Sequence, residues 1–117
     1  MLHAYQEKCT MCNLKHRQLL EATHIIPDSE ERGLPIVKNG LSLCKIHHAA
    51  FDHNILGIDA DYIIHVKREI LEESDGPMLQ HGIKELNKQK IILPSNRKDH
   101  PEKEYLDHKF HEFLRQN

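Results

Sequence analysis

A small α+β domain held together by a structural zinc ion is the fold class that the 117 residues predict, and three observations point to it. Two pairs of metal-ligating side chains, Cys9 with Cys12 and Cys44 with His47, are each separated by two residues. Short aliphatic and β-branched runs alternate with helix-like stretches, so no single long periodic segment dominates. The composition is 38% hydrophobic and 29% charged with five Gly and five Pro, which suits one compact domain and excludes a disordered or fibrous chain.

Taken in order, "LHAYQEKC" reads as the last turn of a helix entering the first cysteine pair. "QLLEATHII" is a short strand ending at Pro27, and the polar "DSEERGLP" is a loop. In "NGLSLCKIHHAAF" the residues Leu43, Ile46, Ala50 and Phe51 approach a 3-4 spacing, which predicts a helix of roughly 10 residues with Asn39 and Ser42 as candidate caps, ending near Asn54. "ILGIDADYIIHVK" predicts two short strands about the turn "DAD". After the breaker "ESDGP", the stretch "MLQHGIKELNK" is weakly helical, "KIILP" is a short strand and "SNRKDHP" a loop. The terminal "EKEYLDHKFHEFLRQN" places Tyr105, Leu106, Phe110, Phe113 and Leu114 at helical spacing among charges, so it predicts an amphipathic helix docked on the core or on a partner.

Charge excludes one broad class. The formal net charge is -2, and residues 1–54 hold six Lys/Arg against six Asp/Glu while residues 55–117 hold ten against twelve, so neither half is a basic arm. Any nucleic-acid contact must come from local geometry. No apolar run approaches the ~20 residues that span a bilayer, and "MLHAYQEKC" lacks the apolar stretch of a signal peptide, so a cytoplasmic location is expected.

The compositional oddity is eleven histidines, a residue type largely neutral near pH 7 and therefore free to ligate metals. "CTMC" and "CKIH" are separated by 31 residues and use all three cysteines. Two such pairs present four ligands to a tetrahedral Zn²⁺, and four protein ligands leave no position for water, which makes the site structural. An odd cysteine count argues against disulfides. His48 follows a zinc ligand on a predicted helix, so it points roughly 100° away from His47 and must serve something else. Asp52, one helical turn on, shares its face, as two ligands of a second metal would.

Read together, "CTMC", "EATHIIP", "KNGLSLC" and "CKIHHAAFD" resemble the HNH endonuclease family, whose core is a ββα-metal finger. The resemblance covers roughly residues 3–58; the remainder is similar to tails found in one prokaryotic branch of these nucleases. It implies a nuclease core over residues 1–58 and, over 59–117, a hairpin and helical extension packed on the same domain. It also implies site roles. His24, ending the first strand, takes the place of the general base that activates water. Asn39 takes the place of the asparagine bracing the loop that carries the base. His48 takes the place of the closing histidine that ligates Mg²⁺ or Mn²⁺, and Asp52 stands where some members supply another ligand.

In one respect the chain departs from the family pattern. Many members carry Asp or His immediately before the base, whereas this chain has Thr23, a feeble ligand for a hard cation. Asp52 is then expected to carry more of the coordination, with Glu21, on the same strand face as Thr23, assisting directly or through water. The implied activity is hydrolysis of DNA phosphodiester bonds, led by backbone contacts, with target specificity coming from a fused or separate domain. A zinc module without catalysis that binds nucleic acid or protein is the competing reading, kept alive by Thr23. An RNA-directed nuclease is a third. Oligomeric state, target sequence and the choice between nicking and double-strand cutting are not legible.

Overall fold

A computed structural model describes residues 2–27 and 36–117. The expected loop "DSEERGLP" lies outside the described residues. Strand β1, Leu20–His24, pairs antiparallel with β2, Gly40–Cys44, in a register that sets Leu20 opposite Cys44 and His24 opposite Gly40. Helix α1, Lys45–Asp52, follows β2 directly and packs on this ribbon. A second antiparallel ribbon joins β3, Leu56–Ile58, to β4, Ile64–Val66. Three further helices follow: α2, Arg68–Glu72; α3, Pro77–Gly82; and α4, Lys103–Arg115.

The expected helix over "NGLSLCKIHHAAF" is half correct. Residues 40–44 are a strand, and only from Lys45 does the chain coil. Ser42 is therefore a buried strand residue and caps nothing. Cys44 occupies the cap position instead: its backbone is extended, and its Sγ accepts from the His47 amide at 3.5 Å. At the other end, Asn54 adopts a left-handed φ of 58° and turns the chain into β3.

The hairpin expected around "DAD" is present. Asp59 Oδ1 accepts from the amides of Asp61 at 2.8 Å and Ile63 at 3.1 Å, an aspartate closing its own turn. "KIILP" makes an isolated bridge, Ile63 with Lys90, and not the expected strand. Its backbone partners are split between two neighbours: the Ile91 amide donates to the Tyr62 carbonyl at 2.9 Å, and the Ile92 amide donates to the Thr10 carbonyl at 2.7 Å. The expected helical turn before Cys9 is a single 3-10 turn, His3–Tyr5, and the short helix α2 was not expected from the sequence pattern.

The core lies between the ribbons and helices α1 and α4, with Ile25, Ile26, Leu41, Leu43, Phe51, Leu56, Ile58, Ile64 and Leu106 fully buried. Helix α4 seats on β3 through Leu106 and Phe113, and Phe113 stacks on Phe110 at 5.5 Å between ring centroids. The seat requires a glycine. A Cβ placed on Gly57 would meet Phe113 Cγ at 2.6 Å. Among the described residues no helix is long and apolar enough to cross a membrane.

Candidate active site and metal centre

The two cysteine-containing loops meet. Cys9 and Cys12 sit in a tight turn closed by the Asn13 amide donating to the Cys9 carbonyl at 2.9 Å, with Asn13 in a left-handed conformation. Cys44 ends β2, and His47 stands in the first turn of α1. The ligating atoms of Cys9, Cys12, Cys44 and His47 all lie within 4.8 Å of one another. Tetrahedral coordination with Zn–S distances near 2.3 Å sets sulfurs about 3.8 Å apart, so the cluster fits a zinc ion in size and in donor chemistry. His47 presents Nδ1 to it, 3.2 Å from Cys44 Sγ and 3.6 Å from Cys9 Sγ. The other ring nitrogen donates to the Gly82 carbonyl at 2.6 Å, the outer partner that fixes the orientation of a ligating imidazole.

Proximity also perturbs protonation throughout this cluster. Hydrogen bonds from Cys12 and Cys44 hold the Cys9 thiol far below the ordinary thiol range, while hydrogen bonds with Cys44 and Cys9 push the Cys12 thiol up. Burial opposes charge on His47, yet hydrogen bonds to the sulfurs of Cys44 and Cys9 raise it to about 10. Thiolate is thus favoured at Cys9 and Cys44 and disfavoured at Cys12.

His48 lies about 100° further round α1. It lines an open depression of about 400 Å³ together with His24, Asp52 and Ala22, and with Lys109 and Glu112 of α4. The depression joins the end of β1, the last two turns of α1 and the middle of α4. Asp52 Oδ2 is 3.1 Å from His48 Nε2, and Glu21 Oε1 is 3.0 Å from His48 Nδ1. A neutral imidazole carries one N–H, so only one of these carboxylates meets a donor and the other flanks a lone pair.

Asn39 is fully buried and grips the backbone just beyond His24. The Ile26 amide donates to Asn39 Oδ1 at 2.9 Å, and Asn39 Nδ2 donates to the Ile26 carbonyl at 3.0 Å. The Ile25 amide adds a bond to the Asn39 carbonyl at 2.9 Å. This two-way clamp fixes the exit of β1 and with it the place of His24. Thr23, only 1% exposed, faces the interior and offers no atom at the depression.

Two residues of this site carried no signal in the sequence. Lys109 donates to Asn54 Oδ1 at 3.2 Å and pairs with Glu112, and its ammonium lies 5.2 Å from the Phe51 ring centroid. The hydrogen bond that Lys109 donates to Glu112 is the first cause of the Glu112 carboxyl being held below its usual range. A Lys and a Glu three apart on an amphipathic helix look like any solvent-facing pair.

Comparison with known proteins agrees with this geometry. Residues 9–59 match the sequence model of the HNH endonuclease family. No curated protein matches the chain. A solved structure described as a modification-dependent TagI restriction endonuclease superposes with a TM-score of 0.61 at 16% identity, over 95% of this chain. The chain spans 35% of that protein's length, so the likeness is one of fold. Ribbon, helix, cysteine–histidine cluster and family match coincide over one segment, residues 9–59, and it is this segment of the chain that is similar to the HNH endonuclease family.

Proposed function

We propose that this chain hydrolyses DNA phosphodiester bonds, with His24 activating water and His48 and Asp52 holding a divalent cation, Mg²⁺ or Mn²⁺, while Cys9, Cys12, Cys44 and His47 hold a structural zinc ion. One observation carries the reading: His24, His48 and Asp52, from two different elements, line a single open depression. A bound divalent ion would supply positive charge to the nonbridging and leaving oxygens of the phosphodiester.

The protein's own groups do the rest. His24 accepts the proton of a water attacking in line with the scissile bond. Asn39 keeps the strand end rigid, so that the imidazole of His24 stays where the water must be. Glu21 is outside the lining of the depression and Asp52 is part of it. We therefore assign the His48 proton to Nδ1, where Glu21 accepts it, leaving Nε2 beside Asp52 for the cation. Glu21 thus offsets the neutral Thr23 by orienting the ligand. Residues 1–58 serve as the nuclease core and 59–117 as an extension packed on it, with target choice supplied by another domain or chain.

A plasmid-nicking assay tests this. Cleavage should require Mg²⁺ or Mn²⁺, stop on chelation and be lost in His24→Ala. The buried Thr23 favours a second reading, a zinc-stabilised module that binds nucleic acid without cutting it. Absence of cleavage of both DNA and RNA by folded, zinc-replete protein would establish that reading instead.

A further inference from the structure

A cavity of about 380 Å³ away from the catalytic depression is lined by Lys38, Arg97, Lys98 and Lys103, with Glu102 as the opposing charge. Four cations against one anion stand out in a chain of net charge -2. Two regions distant in sequence bring them together: the turn before β2, and the stretch that runs from the 3-10 turn Arg97–Asp99 into the start of α4. We propose that this cavity binds a backbone phosphate of the DNA being cut, a second anchoring point beside the scissile one. The proposal rests on the nuclease reading given above.

The walls are fixed. Tyr62, held at a left-handed φ of 67°, donates from its hydroxyl to the Pro101 carbonyl at 3.1 Å, and the Lys103 ammonium lies 5.4 Å from its ring centroid. A bulky residue at positive φ persists only where its surroundings enforce it. The His100 ring meets that of Tyr62 edge-on and donates from Nε2 to the Pro94 carbonyl at 2.7 Å. Arg97 and Lys98 remain exposed, and the turn that carries them is capped by Asn96 Oδ1 accepting from the Lys98 amide at 3.2 Å.

The cavity is also tied to the catalytic residues. The Glu102 amide donates to the Lys38 carbonyl at 2.9 Å, and the next residue, Asn39, clamps the strand end at His24. Along α4, Lys103 at the cavity and Lys109 at the depression are six residues apart, about 9 Å of helix. The axial separation falls well inside one ~34 Å turn of duplex, and because the two residues lie about 120° apart around α4, DNA that reaches both must follow the curve of that helix. Phosphate contacts set position and orientation without reading sequence, which is what a depression open on one side needs if His24 is to meet a scissile bond in line.

The test is the salt dependence of binding to a short labelled duplex, measured by fluorescence anisotropy in a His24→Ala background so that no strand is cut. Adding Arg97→Ala and Lys98→Ala should flatten the log–log slope by about two units. Affinity would then fall about tenfold less between 50 and 200 mM salt than it does without these two changes. With His24 intact, the same pair of changes should raise KM and leave kcat within about threefold, the mark of lost uniform binding. Arg68→Ala, an exposed cation on α2 outside the cavity, should alter neither quantity. If the unmodified chain cuts DNA but the slope and KM are unaffected by the double change, the cavity is not a phosphate site. If the unmodified chain neither binds nor cuts DNA, the nuclease reading fails first and the cavity assignment falls with it.

Discussion

His47 and His48 are neighbours on α1, yet they serve two unlike regions. His47 is 3% exposed, holds its second nitrogen on a backbone carbonyl and converges with three sulfurs. His48 has a side chain 26% exposed, is flanked by two carboxylates and opens on a depression. Burial and convergence with three sulfurs suit the first to fastening the fold; on the proposed reading, exposure and an incomplete ligand set leave the second room for a water and a phosphodiester. One helical step of about 100° suffices to put both on a single helix. Stability should therefore follow the cysteine cluster and activity the depression, so that activity can be lost with stability kept.

The largest effect should come from opening the cluster. Cys44→Ser should remove tightly bound zinc and with it most of the folding free energy, because structural zinc contributes on the order of 10 kcal/mol or more, comparable with the whole stability of a small domain. Elemental analysis alongside thermal melting measures both. Folded protein that holds no zinc would break the comparison at its first term. Next, His24→Ala should lower cleavage by about 10²–10⁴-fold while zinc content, melting temperature and Mn²⁺ affinity stay near those of the parent. A parallel fall in melting temperature would mean that the depression is structural after all.

His48→Ala should abolish cleavage and weaken Mn²⁺ binding together, and Asp52→Ala should do the same more mildly. Glu21→Gln sharpens the point. As the outer partner of a ligating imidazole it should cost about 10- to 100-fold in Mn²⁺ affinity, read by calorimetry, with zinc retained. Unchanged Mn²⁺ affinity in Glu21→Gln would show that the contact with His48 orients nothing.

The smallest effect lies outside both regions. Partial burial works to raise the Asp59 carboxyl, but the bonds from His65 and from the Ile63 and Asp61 amides hold it below its ordinary range. Its stabilising contribution is therefore full above the ordinary carboxylate value of about 4 and is lost as the pH falls through the lower folded value. Asp59→Asn should cost about 1 kcal/mol at neutral pH, with the difference disappearing in acid, as chemical denaturation at several pH values would show.

Much of the fold was legible because the relevant signals are local. Ligand spacing identified the four residues of the cluster, the aliphatic run before Pro27 marked β1 although the strand itself is only Leu20–His24, Asp59 marked a turn, and apolar periodicity marked α4. Strand β2 was misread because all five of its residues are buried. With no solvent face there is no alternation, and Leu41 and Leu43 then blend into the helical spacing that follows. Around His48 the same distinction holds. Asp52 was visible at a helical interval, and Glu21 was visible only as an acid on a strand. That it reaches His48 across 27 residues depends on how β1 lies against α1, and the arrival of Lys109 and Glu112 depends on where α4 docks. Such juxtapositions are products of tertiary packing and leave no periodic trace.

The missing side chain at Gly57 makes the joint between core and terminal helix a steric checkpoint. Gly57 belongs to the segment matched by the HNH family, whereas Phe113 lies far beyond it, and the ring occupies the space any other residue would fill. A single added methyl group there would displace the ring or unseat the helix, and Lys103 and Lys109 travel on that helix. A lone hydrogen atom on the core thus governs whether the appended segment can dock. Transplanting α4 onto another finger of this kind would succeed only where the recipient's third strand leaves the same gap.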